Sequence, residues 1–221
     1  ARGYSGAGRV EWPFMEECAQ PRRKNRSSTI EAGHESEYPY RLILSSDDEE
    51  IMEVAEEHGC EVPFRRPAEL AQDDTPSMDA LIHALEQAPK YDYVVLLQPT
   101  SPLRTSNDIE TTIETCVQHG APACVTVTES DKPPQWMYTL NGKGQLSPLL
   151  DPNEAIRRRQ DAPDTYVLNG AVYVAQTGWL RETRDFVTDE TTAHVMPRVR
   201  SADVDTRLDL RWCEYLIIEM M

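Results

Sequence analysis

Two short stretches carry side chains suited to chemistry on a polar ligand. The first is Gln98-Pro99-Thr100-Ser101-Pro102, which follows directly on the apolar run Val94 to Leu97. Pro99 and Pro102 fix φ, so the amide of Gln98 and the hydroxyls of Thr100 and Ser101 sit on a stiff frame. An ordinary strand-to-helix turn uses the same residue types, and spacing alone leaves both readings open. The second stretch is Asp203-Val204-Asp205. Alternate residues of an extended chain point to one side, so these carboxylates suit a hard, oxygen-seeking cation. Solvated loop acids are the competing reading. Asp209 reads as an acid in the first turn of a final helix.

Charge limits what such sites can hold. The chain of 221 residues has 22 Lys+Arg against 38 Asp+Glu, a net charge of −16. That excludes a general nucleic-acid surface, which needs a basic face. An anionic ligand therefore needs a local basic pocket. The candidate clusters are Arg22-Arg23-Lys24, Arg65-Arg66 and Arg157-Arg158-Arg159. The five cysteines are odd in number and lack CxxC spacing, which disfavours a disulfide framework or a zinc site and fits a reducing cytoplasm. No apolar run approaches the roughly 20 residues of a membrane helix, and no secretory leader is visible. The chain opens on Ala1 rather than Met, so it is expected to begin inside a longer natural protein.

The elements that must position these residues follow from periodicity. "YRLILSS" and "CEVPF" read as short strands, with the helix "SDDEEIMEVAEEHG" between them. That helix is expected to be capped by Ser46 or Asp47, to bury Ile51, Val54 and Ala55, and to stop at Gly59. "PSMDALIHALEQA" reads as a helix with Met78, Leu81, Ile82 and Leu85 on one face, and Tyr91 to Leu97 as the strand before the Gln98 loop. "TSNDIETTIETCVQHG" is a helix capped by Ser106 or Asn107, burying Ile109, Ile113 and Val117. "APACVTVTE" and "TYVLNGAVYVA" are strands, and Cys116 and Cys124 take core positions. The alternation predicts an α/β fold with a doubly wound, mostly parallel sheet. Over 133–165 a proline-rich stretch with an Asn-Gly turn predicts a hairpin arm. Its apolar Trp136 and Met137 suit a partner subunit. "TRLDLRWCEYLIIEMM" closes the chain as an amphipathic helix, with Leu208, Trp212, Tyr215 and Leu216 on one side. Residues 1–30 show no clear period. None of the five histidines is placed by a motif, and His83 reads as a surface or core residue.

The nonapeptide "LLQPTSPLR" resembles the signature of CMP-sialic acid synthetases, the acylneuraminate cytidylyltransferases. Four further segments agree in order: "SSDDEEIMEVAEEHGCEVPFRRPAELAQDD", "RRRQ", "NGAVYV" and "DVDTRLDL". The resemblance runs from about Leu42 to Leu210. It implies a single Rossmann-like nucleotidyltransferase domain over 1–221, with 133–165 as an inserted arm that makes a homodimer. It implies CTP and a nonulosonic acid as substrates, magnesium as cofactor, and attack of the anomeric hydroxyl on the α-phosphate with loss of pyrophosphate. By family position, Asp203 and Asp205 would hold magnesium. Arg2, Ser5, Lys24, Asn25, Arg66 and Ser77 would bind the nucleotide, with Lys24 also catalytic. Gln98, Thr100, Ser101, Arg104, Arg159, Gln160 and Asn169 would face the sugar acid, Arg159 and Gln160 from the arm. The general base stays open, with an Asp of the acidic pair as one candidate.

The departures from the family pattern all precede Leu42, so residues 1–41 are atypical. Its opening strand is missing ahead of Ala1-Arg2. "GAGRVEWPFMEECAQ" interrupts the phosphate loop between Ser5 and Pro21, and one lysine of that loop is replaced. The helix expected next is weakened by Gly33 and His34. "VEWPF" could stand in for the strand, although its proline suits a central strand poorly. Two alternatives follow: a catalytically impaired sugar-nucleotide-binding homologue or fragment, and the same chemistry on a legionaminic-type acid.

Overall fold

Alternation along the Tyr93–Leu96 strand sends Val94 and Leu96 to one side and Val95, with Leu97 beyond the strand's end, to the other. Each set is buried in a different apolar cluster. A strand covered on both faces must lie inside a sheet with helices on either side. The computed structural model describes residues 10–11, 23–38, 41–72, 74–88, 91–150, 158 and 162–220. In order, its elements are β1 (Val10–Glu11), α1 (Arg23–His34), α2 (Glu49–Glu57), α3 (Ser77–Gln87), β2 (Tyr93–Leu96), α4 (Ser106–His119) and β3 (Ala123–Glu129). There follow β4 (Tyr138–Leu140), β5 (Leu146–Pro148), β6 (Tyr166–Gln176), α5 (Thr177–Thr183), β7 (Thr191–Val195) and α6 (Arg207–Met220).

The main sheet has the order β1-β2-β6-β3-β7. β1 pairs with β2 and β3 with β7 in parallel, while β6 is antiparallel to both of its neighbours. Four strands thus share one direction and β6 opposes them, a mixed version of the expected doubly wound sheet. The cluster with Ile30, Ile51, Val95, Ile109, Ile113 and Val172 lies under α1, α2 and α4. The cluster with Leu81, Leu85, Val94, Val125 and Leu180 lies under α3 and α5. Burying one Leu or Ile of this kind contributes about 1.5–3 kcal/mol.

Local chemistry sets the element ends. The Asp48 side chain accepts from the Ile51 N–H at 3.0 Å and caps α2, one residue beyond the expected Asp47. Thr105 caps α4 and forms a reciprocal capping box with Asp108, in place of the expected Ser106 or Asn107. Gly120, at φ 62°, ends α4 in the left-handed conformation. The two short strands around α2 meet in a single parallel bridge, Ile43 to Glu61, rather than as full members of the sheet. Val10 and Glu11 of "VEWPF" do pair beside β2, opposite Tyr93 and Val94, at the edge of the five-strand order. Arg23–His34 forms a helix in a segment that reads as irregular. Gly33 within it lets α1 approach Leu42, whose side chain a Cβ there would meet at 3.3 Å.

Two expectations about burial are corrected. Val117 of α4 is 42% exposed, because the helix turns its last stretch to solvent. On α6 the stripe Leu208, Trp212 and Tyr215 faces outward, at 73%, 54% and 50% exposure, and the helix docks instead through Leu210 and Cys213. Trp212 and Tyr215 stack on each other with ring centroids 5.6 Å apart. The hairpin of β4 and β5 forms as expected, and Tyr138, Leu140 and Leu146 on it are exposed. His83 packs edge-on against Phe64, 5.3 Å between rings, which is a packing role. The four described cysteines are free and buried. Burial pushes the thiols of Cys60 and Cys116 up to about 12, which leaves them inert at neutral pH.

One buried cation ties the layers together. The Arg104 guanidinium donates to the Gln98 carbonyl at 3.2 Å, to the Ala171 carbonyl, and to Thr29 Oγ1 at 2.6 Å. Loop, β6 and α1 are thereby joined. Burial pulls the Arg104 pKa down to about 9, still protonated at neutral pH. Arg104→Ala would leave these acceptors without a donor. It is expected to destabilise the chain by about 3 kcal/mol in denaturant unfolding, with a smaller loss for Arg104→Lys.

Candidate functional site

β6 carries the irregularity that builds the site. Opposite β3, Val125 pairs with Tyr173 and Val127 with Leu168, so Thr126 alone faces the four residues Asn169 to Val172. A bulge this wide needs its loose backbone groups satisfied. The Thr126 hydroxyl does this: it receives the Val172 N–H at 2.9 Å and donates to Asn169 Oδ1 at 2.6 Å. Gly170 sits in the bulge at φ 71°. A Cβ there would lie 2.5 Å from Gln98 Oε1, so only glycine permits the Gln98 amide to rest against β6. An Asn-Gly pair inside a strand pattern signals such a bulge. The neighbouring roles of Thr126 and Ser201 left no mark of their own in the sequence.

Asn169 is the hub. Its carbonyl accepts from the Ser101 hydroxyl at 3.2 Å, and its amide nitrogen donates to Ser201 Oγ at 3.0 Å. The Gln98 loop and the acidic segment are therefore both fastened to one buried residue. A second tie runs from the Val204 N–H to the Thr100 carbonyl at 2.9 Å. The Thr100 side chain also lies near the Asp203 carboxylate and favours its ionised form. Gln98, Thr100, Ser101, Arg104, Asn169 and Asp203 thus form one cluster, with Asp205 beside it. Within that cluster Ser101, Arg104 and Asn169 are buried and spent on internal bonds. Gln98, Thr100, Asp203 and Asp205 remain at the surface of the site.

The acidic pair has the electrostatics of a cation site. Partial desolvation pushes the Asp203 carboxyl above its ordinary value, and repulsion from Asp205 and Asp209 adds to this, against the opposing pull of the Thr100 side chain and the Val204 backbone. Among the described residues no three His, Cys, Asp or Glu come together as a metal cage. Two carboxylates with open positions match the habit of magnesium, which completes its shell with water and substrate phosphate. Beside Asp203 opens a cleft of about 560 Å³, walled by Thr128, Val167, Arg198, Ser201 and Trp212. That volume suits a small polar ligand.

The remaining candidates are dispersed. Arg66 is buried and donates to Ser45 Oγ at 3.2 Å and to the Ser45 carbonyl. Ser77 is the exposed first residue of α3. Lys24 and Asn25 lie in the first turn of α1, which reaches the cluster through Thr29. Arg2, Ser5, Arg159 and Gln160 lie outside the described residues. Arg65 pairs with Glu49 at 2.8 Å on the surface, and Arg158 is exposed. Gly170→Ala is expected to cost about 1–2 kcal/mol of stability through backbone strain. It should also displace the Gln98 amide, visible as a shift of its side-chain NH₂ resonances while those of Gln145 stay in place.

Residues 27–176 match the cytidylyltransferase family. A pseudaminic acid cytidylyltransferase of Campylobacter jejuni is 34% identical over 79% of this chain and 77% of its own length. An N-acylneuraminate cytidylyltransferase of Escherichia coli is 33% identical over 82% of this chain, which spans 43% of that longer protein. A CMP-N,N'-diacetyllegionaminic acid synthase of Legionella pneumophila is 29% identical over 86% of this chain and 83% of its own length. Among solved structures, a CMP:2-keto-3-deoxy-manno-octonic acid synthetase complexed with CTP superposes with a TM-score of 0.64 at 14% identity. It covers 96% of this chain and 98% of its own, a likeness of fold. With a curated relative above 30% identity and a family match over most of its length, this chain belongs to the cytidylyltransferase family.

Proposed function

We propose that the protein transfers CMP from CTP to the anomeric hydroxyl of a nonulosonic acid and releases pyrophosphate. The observation that carries this reading is the junction in which the Thr100 carbonyl, on the Gln98 loop, accepts from the Val204 N–H between the two acidic residues at 2.9 Å. Relatives named for pseudaminic, N-acylneuraminic and legionaminic acids support the substrate class.

Each residue has a distinct task. Asp203 and Asp205 would hold magnesium, which when bound neutralises charge on the phosphate oxygens. Gln98 and Thr100 orient the sugar acid from the rigid loop, and Ser101, Arg104 and Asn169 keep that loop in place. Lys24 and Asn25 at the start of α1, with Arg2 and Ser5, offer the triphosphate its donors. Arg66 stiffens the segment ending at Ser46, and Ser77 opens α3 on the nucleotide side. Arg159 and Gln160, by family position, would serve the sugar acid. A local cationic site is required, because the chain as a whole, at −16, repels a polyanion.

The arm at 133–165 joins two copies into a homodimer in this reading. Its support is the exposed apolar surface of Tyr138, Leu140 and Leu146, together with Tyr166 and Val167 where β6 leaves the arm. A two-stranded hairpin is marginal without something to pack on. No helix among the described residues is long and apolar enough to cross a membrane. The buried free thiols suit a reducing cytoplasm.

Pyrophosphate release with CTP and magnesium tests the proposal, offering N-acetylneuraminic, pseudaminic and legionaminic acids in parallel. One of them should support release, and the sugar used identifies the substrate. Asp203→Ala should lower kcat by about 10²–10³-fold, and Lys24→Ala should do likewise without altering thermal unfolding. A folded chain that binds CMP-sugar but releases no pyrophosphate with any of the three would favour the binding homologue. That alternative arises from the atypical segment 1–41, and the relatives named as cytidylyltransferases do not favour it.

A further inference from the structure

Asp108 lies in the first turn of α4 with its side chain fully buried, at 0% exposure. Its carboxylate accepts four hydrogen bonds. Two come from Thr105, from the backbone N–H at 2.9 Å and the hydroxyl at 2.8 Å. Two come from Arg200, from Nε at 3.0 Å and Nη2 at 2.6 Å. The paired arrangement fixes orientation as well as distance.

The two donors belong to different walls of the site. Thr105 follows Arg104 at the end of the loop that begins at Gln98. Arg200 ends the short turn Arg198–Arg200, just ahead of Asp203. Capping α4 needs only Thr105 and Asp108, which already form a complete box. An arginine 92 residues away adds nothing that the helix end requires. What it adds is a tether on the chain entering the acidic segment. The next ties downstream are Ser201 to Asn169 at 3.0 Å and Val204 to Thr100 at 2.9 Å. Arg198, two residues earlier, also pairs with Asp131, but both of those side chains are exposed, so Arg200, on the fully buried Asp108, is the buried charged tether of this turn.

We infer that Asp108 and Arg200 form a positioning pair that sets the separation between the Asp203–Asp205 carboxylates and the Gln98–Thr100 loop. Neither is a catalytic residue, and both act through the acidic segment. The activity part of this inference rests on the proposed cytidylyl transfer; the structural part does not.

The test compares Arg200→Ala, Arg200→Lys and Asp108→Asn with Arg184→Ala, which removes an exposed pair with Asp79. Amide hydrogen exchange of the ligand-free protein is read first. In Arg200→Ala the Val204 amide should exchange faster while Ile109 and Ile113 in α4 keep their protection. Magnesium dependence of pyrophosphate release is read second. Its half-saturation should rise about 10–100-fold in Arg200→Ala, the usual cost of losing a group that orients a ligand. Arg200→Lys, which keeps charge without the fork, should recover part of this. Arg184→Ala should match the parent in both. The inference is overturned if Arg200→Ala exchanges and titrates like the parent. Faster exchange throughout α4 would overturn it too, by making the pair a helix-stability device. An inactive parent would count against the proposed function alone, since the exchange arm still decides the tether.

Discussion

A guanidinium buried with no carboxylate bonded to it is expensive to maintain, and Arg104 is placed where three elements meet. Its acceptors are the carbonyls of Gln98 and Ala171 and the hydroxyl of Thr29. Desolvation disfavours the charged form, and donation to fixed acceptors together with the nearby Asp108 carboxylate offsets it. The loop cannot drift from β6 or α1 without stranding that charge. The stiffness first suggested by Pro99 and Pro102 therefore has a second source that the prolines do not supply. Everything presented at the loop's surface, the Gln98 amide and the Thr100 hydroxyl included, depends on this anchor.

The frame is asymmetric in a way that suits its proposed chemistry. Three buried polar side chains are consumed within the protein: Ser101 by Asn169, Thr126 by the bulge in β6, Asp108 by Thr105 and Arg200. Desolvation alone would raise the Asp108 carboxyl, but the bonds from Arg200 and Thr105 outweigh it and hold it below the ordinary range. A carboxyl held low contributes stability at neutral pH and loses it as pH falls through its folded-state pKa. Asp203 is the reverse: desolvation and the nearby Asp205 hold it high. One carboxylate is fully bonded within the protein, and the other keeps an unfavourable negative charge beside Asp205.

Much of this was legible in the sequence. Period-two alternation at Val94 to Leu97 placed β2, and Ile51, Val54 and Ala55 marked the buried side of α2, because burial there follows local periodicity. The Gln98 loop and the Asp203–Asp205 pair were visible because their residue types are unusual for the ends of apolar strands. What was not legible depends on contacts remote in sequence. The reversal of β6 comes from its route back from the arm, and no local pattern encodes strand direction. The same holds for Arg200, whose partner lies on another element, and for the outward stripe of α6, since periodicity reports that a helix has an apolar face but not what covers it. Arg104 read as a ligand contact; its place in the core follows from the bulge at Asn169 and Gly170, which brings the Ala171 carbonyl within reach.

The proposed reaction needs one rigid polar junction that holds the acidic pair against the Gln98 loop and presents both to the same ligand. A crystal structure with CTP and manganese in place of magnesium tests this most directly, because the anomalous signal locates the ion independently of the refined side chains. The expected result is an ion about 2.1 Å from carboxylate oxygens of Asp203 and Asp205, with the Val204 N–H still donating to the Thr100 carbonyl. An ion bound elsewhere, or a nucleotide seated away from the Gln98 loop, would contradict it.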